Sequence, residues 1–160
     1  GRPEKLVAGL GRVYEIMNTS IKRWAVGYPI QAPLDAVSNL IARHGVTARD
    51  VERIRVIIDE QGARTVNQRR MASINIQHLV AMMLVDGEIS FASAHDAARV
   101  RDPAVLKIKD RIELAGSAAF MRTKTTQSIV EIATRDGRRL RHHTRAVLGT
   151  AANPMTRAQV

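Results

Sequence analysis

Ile30, Leu34, Val37 and Ile41 recur at three- and four-residue intervals, which places them on one face of a helix predicted over residues 29–44. Pro29 suits the first turn of such a helix, where its missing N–H is no loss, and Gly45 is a suitable stop. The pattern then changes period. Ile54, Val56 and Ile58 alternate with Arg53, Arg55 and Asp59, as in a strand buried on one side. Between these two, Thr47-Ala48-Arg49-Asp50 has the form of a capping box starting a single turn. Residues 74–85 are hydrophobic nearly all round, the mark of a buried helix, and Asp86-Gly87 closes it. Ser90 is placed to cap a short helix running to His95, and Asp102-Pro103 starts another, with Asp at the N-cap and Pro after it.

The remaining segments read less regularly. Residues 19–26 and 111–114 are expected to be extended, 60–72 to be a polar, basic connection, and 115–126 carry no periodic signal. Leu6, Leu10, Val13 and Met17 have helical spacing, interrupted by Gly9 and Gly11. The chain closes with a hairpin: residues 128–134, the turn Asp136-Gly137, and a return strand over 139–147. On the return strand Arg139, Arg141, His143 and Arg145 form what reads most simply as a solvated face. Asn153-Pro154-Met155-Thr156 begins a helix that the chain does not complete. The sum is β-α-β-α-β-β with short extra helices: one α+β domain over residues 1–160, its helices packed on one face of a sheet.

Composition narrows the function. A chain of 160 residues without cysteine has no disulfide frame and no thiolate metal site, and it has no 18-residue apolar run. The expected location is the cytoplasm, with no membrane involvement. The formal charge of +10 points to an anionic partner. Nucleic acid fits poorly: aromatics are 3% and the basic residues are spread along the whole chain. No two of the five histidines stand at i, i+4, and no phosphate-binding glycine loop is present, so neither a metal nor a nucleotide site is expected.

Two positions carry candidate chemistry. Only five of the 25 basic residues are lysine, and Lys22 stands just before the proline-initiated helix. There its ammonium and free backbone N–H groups can converge on one anion; the alternative is a strand-end lysine reaching solvent. His78 lies on the apolar helix, three residues after Asn75. Either it is a core histidine satisfied by hydrogen bonds, or Asn75 and His78 present polar groups together from the first turns. Arg69 and Arg70 precede that helix and can clamp carboxylates, and Gln31 is a further polar contact. Asp86 and Asp102 read as helix-end and cap residues.

Several segments together resemble the MmgE/PrpD family, specifically its smaller C-terminal domain. They are Ile21-Lys22-Arg23-Trp24, Ile54-Arg55-Val56 after Asp50-Val51-Glu52, and the run Gln77-His78-Leu79-Val80-Ala81-Met82-Met83-Leu84-Val85-Asp86-Gly87. Arg101-Asp102-Pro103-Ala104-Val105, Ile129 to Ile132 with Arg135-Asp136-Gly137-Arg138, and Asn153-Pro154-Met155-Thr156 complete the set. Their order and spacing cover nearly the whole chain.

The resemblance implies a lid-like domain that follows a large helical domain, which these 160 residues do not include. Family members include 2-methylcitrate dehydratase, cis-aconitate decarboxylase and iminodisuccinate epimerase. It therefore implies a small di- or tricarboxylate substrate, a dehydratase-type lyase reaction or a related one, no metal or organic cofactor, and a homodimer. The helical domain of the same protein would be a partner, and the isolated chain is expected to be inactive. Lys22 matches the family lysine that faces substrate, which implies a carboxylate binder or proton donor; His78 is the implied acid–base or orienting group. Two departures bear on specificity. His78 stands where better-known members carry tyrosine, and Lys22-Arg23-Trp24-Ala25-Val26 replaces a Lys-Pro-Tyr-Pro-Cys motif. A non-catalytic assembly module of the same fold, and a basic nucleic-acid binder, are the rival readings.

Overall fold

The computed structural model describes residues 2–123 and 125–160, without the side chains of Leu6 and Glu15, so the Leu6 position of the leading apolar pattern lies outside the described side chains. Helix α1 spans Gln31–His44 and is followed by strand β1, Val51–Asp59. Helices α2 (Glu60–Val66), α3 (Ile76–Asp86), α4 (Phe91–His95) and α5 (Pro103–Lys109) then lead to strand β2, Ile112–Ser117. A single turn, α6 (Ala118–Met121), precedes the hairpin of β3 (Ser128–Thr134) and β4 (Arg139–Thr144).

The four strands form one sheet in the order β2-β1-β3-β4. β1 runs parallel to β2 and antiparallel to β3, with Val56 opposite Leu114 on one side and Val130 on the other. Because side chains alternate, Ile54, Val56, Ile58, Val130, Ile132 and Leu140 point together into the core, where all are buried. Leu34, Val37 and Leu40 of α1 and the whole apolar run of α3 cover that face. α3 needs no polar side because α1, α5 and β2 all pack against it. Gly87, at φ 81°, ends α3 in the left-handed conformation that glycine adopts without steric cost.

The α+β class and the helices on one face hold, and the hairpin strand over residues 128–134 appears with those bounds. Some elements differ. Residues 19–26 are not a strand: the segment is irregular, held by Ile21 N–H to the Gly149 carbonyl and by the Gln31 side chain bonded to both backbone groups of Trp24. Those partners replace a strand neighbour. Residues 60–72 include α2, whose N–H at Gly62 is capped by the Asp59 carboxylate at 2.7 Å. Only Gly62 and Val66 of that helix are buried, too few to write a hydrophobic period. The extended segment at 111–114 lengthens to β2, α6 occupies part of the unpatterned 115–126, and β4 stops at Thr144 rather than 147. After Asn153-Pro154 only a 3-10 turn forms, Arg157–Gln159. Among the described residues no helix is long and apolar enough to cross a membrane.

Candidate functional site

The first turn of α3 is built by amide side chains. Asn75 is the N-cap: its Oδ1 accepts the His78 backbone N–H at 3.0 Å, while its Nδ2 donates to the Arg69 carbonyl at 2.6 Å. Gln77 does the same for the preceding loop, accepting from the Gln68 N–H at 3.0 Å and donating to Asn67 Oδ1 at 2.6 Å. These bonds hold Gln68 in a left-handed conformation at φ 45°, unfavourable for a residue with a Cβ. Residues 67–75 are thus fastened onto α3 from both ends.

The loop closes one side of a pocket of about 300 Å³. Arg69, Arg70, Asn75 and His78 line it, with Ala72 and Val100, and α5 contributes its last residue, Lys109. No carboxylate is among the lining residues. Arg69 spends its guanidinium on the C-terminal carbonyls of α2, donating to Thr65 O at 2.7 Å and Arg64 O at 3.0 Å. Arg70 and Lys109 have no hydrogen-bond or ion-pair partner among the described residues.

His78 is 2% exposed, and its Nε2 has no hydrogen-bond partner. Burial pushes its pKa below the ordinary 6.5, and the charges of Lys109 and Arg99 push in the same direction. Its place in the first turn of α3 also disfavours a cation there. The imidazole is therefore a neutral proton acceptor at neutral pH. Arg99 is itself balanced: it donates to both carboxylate oxygens of Asp86 at 2.6 Å and pairs with Asp102. Asp102 also caps α5 and Asp86 ends α3, as their positions in the sequence suggest. A neutral base beside unbalanced cations can take a proton from carbon next to a carboxylate and steady the negative charge that develops.

Of the six residues singled out from the sequence, Arg69, Arg70, Asn75 and His78 meet in this pocket. Gln31 and Lys22 do not line it. Gln31 is 1% exposed and both ends of its amide serve Trp24, the Nε2 at 2.8 Å from the carbonyl and the Oε1 at 3.3 Å from the N–H. Lys22 is exposed on the irregular segment, not on a strand, and donates to the Val26 carbonyl at 3.1 Å. That segment touches the α3 approach one residue later, where the Gly27 N–H meets the Ser73 carbonyl at 2.9 Å. Lys109 escaped the sequence reading because it carries no motif; only the docking of α5 on α3 brings it to His78.

A second polar concavity lies under the Trp24 segment. Asp35, 7% exposed, lines it with Arg23; burial raises its pKa, with the Arg23 charge opposing. Among the described residues, no group of three or more histidine, aspartate or glutamate side chains could hold a metal ion.

The family model described as the MmgE/PrpD C-terminal domain matches residues 24–160, so the chain belongs to this family. No curated protein matches the chain. The matched span holds the whole α3 pocket and begins two residues after Lys22.

Proposed function

From this membership we propose that the chain is the C-terminal domain of a cytoplasmic two-domain lyase. It acts on a small di- or tricarboxylate by acid–base chemistry beside a carboxylate, with dehydration as the reaction. The observation that carries the reading is His78, a buried neutral imidazole with an unpaired Nε2, in a pocket whose charged groups are all cations. His78 exchanges the proton, and Arg69 and Arg70 draw the carboxylates. Asn75 holds the imidazole in register through the backbone. Gln31 holds the Trp24 segment, and that segment carries Lys22 as an exposed ammonium able to meet substrate once the preceding helical domain covers it. A homodimer completes the proposal, and the apolar side chains of Leu10, Ile16 and Met17, each more than 70% exposed, favour burial against another domain or copy.

The test uses the complete protein with its helical domain, incubated in D₂O with a panel of di- and tricarboxylates. Proton exchange beside a carboxylate is common to dehydration, decarboxylation and epimerisation, so deuterium incorporation seen by NMR reads all three. The expected result is incorporation with at least one tricarboxylate, and its absence across the panel would remove the enzyme reading. In the same assay Lys22→Ala should slow turnover roughly 100-fold or more while leaving the melting curve intact; turnover within two-fold of the parent would take Lys22 out of the mechanism.

A further inference from the structure

We propose that Lys109 is a carboxylate-binding residue of the His78 pocket, receiving with Arg70 the charge of one polyanionic ligand and so selecting di- and tricarboxylates over monoacids. The inference deepens the enzyme reading and rests on it. Three features of the fold place Lys109 there. α5 is anchored at its start by the Asp102 carboxylate, which accepts the Ala104 N–H at 2.8 Å, and along its length by buried Val105 and Ile108. The last residue of this helix is thereby held against α3. The Lys109 side chain is half-buried, lines the same pocket as His78, and has no acid or carbonyl partner among the described residues.

A half-buried lysine beside an apolar wall gains from an opposite charge, because its ammonium is only partly hydrated. Asp86 and Asp102 stand at the far ends of α3 and α5 and are both taken by Arg99, and Asp110, next to Lys109 in the chain, lines a different hollow. The positive charge at the pocket is thus left for a ligand to balance. Arg70 is exposed and equally unpaired, so the cations number more than one and a single carboxylate would leave charge unmatched. The buried, unpartnered Nε2 of His78 supplies the third polar contact. A pocket of about 300 Å³ admits a small organic acid and is at the lower end of ligand sites.

The experiment titrates the complete protein, its helical domain included and its histidines and arginines isotopically labelled, with tricarballylate, and with butyrate as the monoacid, at constant ionic strength, following the His78 imidazole resonances. Tricarballylate should give a saturable shift at His78. Lys109→Gln should weaken that binding about ten-fold, the loss of one charge-assisted contact. Lys109→Arg should restore most of it, and Arg101→Gln, which alters a cation outside the pocket lining, should not change it. Butyrate should bind at least ten-fold more weakly than tricarballylate. A saturable His78 shift of equal affinity in Lys109→Gln overturns the assignment of Lys109 and leaves the enzyme reading standing. Shifts spread over the arginines of the open sheet face with none at His78, an adventitious ion only, overturn both.

Discussion

Two arginine-rich concavities stand on opposite sides of the sheet, and they differ in how their charge is balanced. On the open face, Arg53 and Arg55 of β1 both reach Glu113 of β2, and Arg141 of β4 reaches Glu131 of β3 at 3.3 Å. That hollow, about 510 Å³, is larger than the one at α3, yet three of its four arginines are paired with its two glutamates, and exposure to water and salt screens the charge that remains. At α3 the cations have no counter-charge and the one buried titratable group is a neutral imidazole. Binding potential follows unbalanced charge held near a low-dielectric wall, not the size of the hollow or the number of arginines.

The sharpest way to break this comparison is to remove the imidazole. In the complete protein, His78→Phe should lower turnover by about two to four orders of magnitude, the usual worth of a general acid–base group, with the fold retained. Arg141→Ala on the open face should leave turnover within two-fold. Steady-state kinetics on both variants decides the matter, and equal losses would mean the two concavities are not functionally distinct.

Next in size is the frame of the pocket. Asn75→Ala removes the α3 cap and strands the Arg69 carbonyl, at a cost of about 1–2 kcal/mol read by urea denaturation. The open face should be far more tolerant. Glu113→Gln, which disrupts two exposed ion pairs, should cost about 1 kcal/mol or less, and added salt should shrink the effect further.

Between these lies a pH effect of known sign. His78 is held below 6.5 when folded, so the unfolded chain binds its proton first as pH falls. The stability tied to this group is complete above about pH 6.5, declines as pH drops below that value, and stops declining once the folded value is passed. His142 and His143 are lowered as well, chiefly by burial, and add to the slope, whereas Asp35 acts in the opposite sense at lower pH. The His78 share is therefore the difference between parent and His78→Phe in denaturation midpoints at pH 7.5 and pH 5. The variant should lose less stability on acidification. Parallel curves would show that the imidazole is not held neutral by its surroundings.

Much of the fold was legible because its signals are local. The apolar period of α1, the caps at Ser90 and Asp102 and the Asp-Gly turn each act within a few residues, and each element formed where its signal stands. Residues 19–26 misled because an extended backbone with an apolar tail resembles an edge strand until a buried amide takes its hydrogen bonds. α2 was hidden because it packs through a glycine and a valine rather than a stripe. The candidate site divided along the same line. Arg69, Arg70, Asn75 and His78 are close in sequence and close in space, whereas Lys109 could not be seen from its neighbours.

By itself, then, the order of residues determined the α+β class, most of the helix and hairpin limits, and the polar group at the start of the apolar helix. Those depend on propensity, capping and periodicity, which are properties of short windows. The tertiary structure alone decided that α5 delivers a cation to that group, that Arg99 absorbs the nearby acids, and that Gln31 serves the backbone of Trp24. Each of these is a pairing between segments distant in sequence, and the energy of a buried charge or amide is set by whichever partner the packing brings to it.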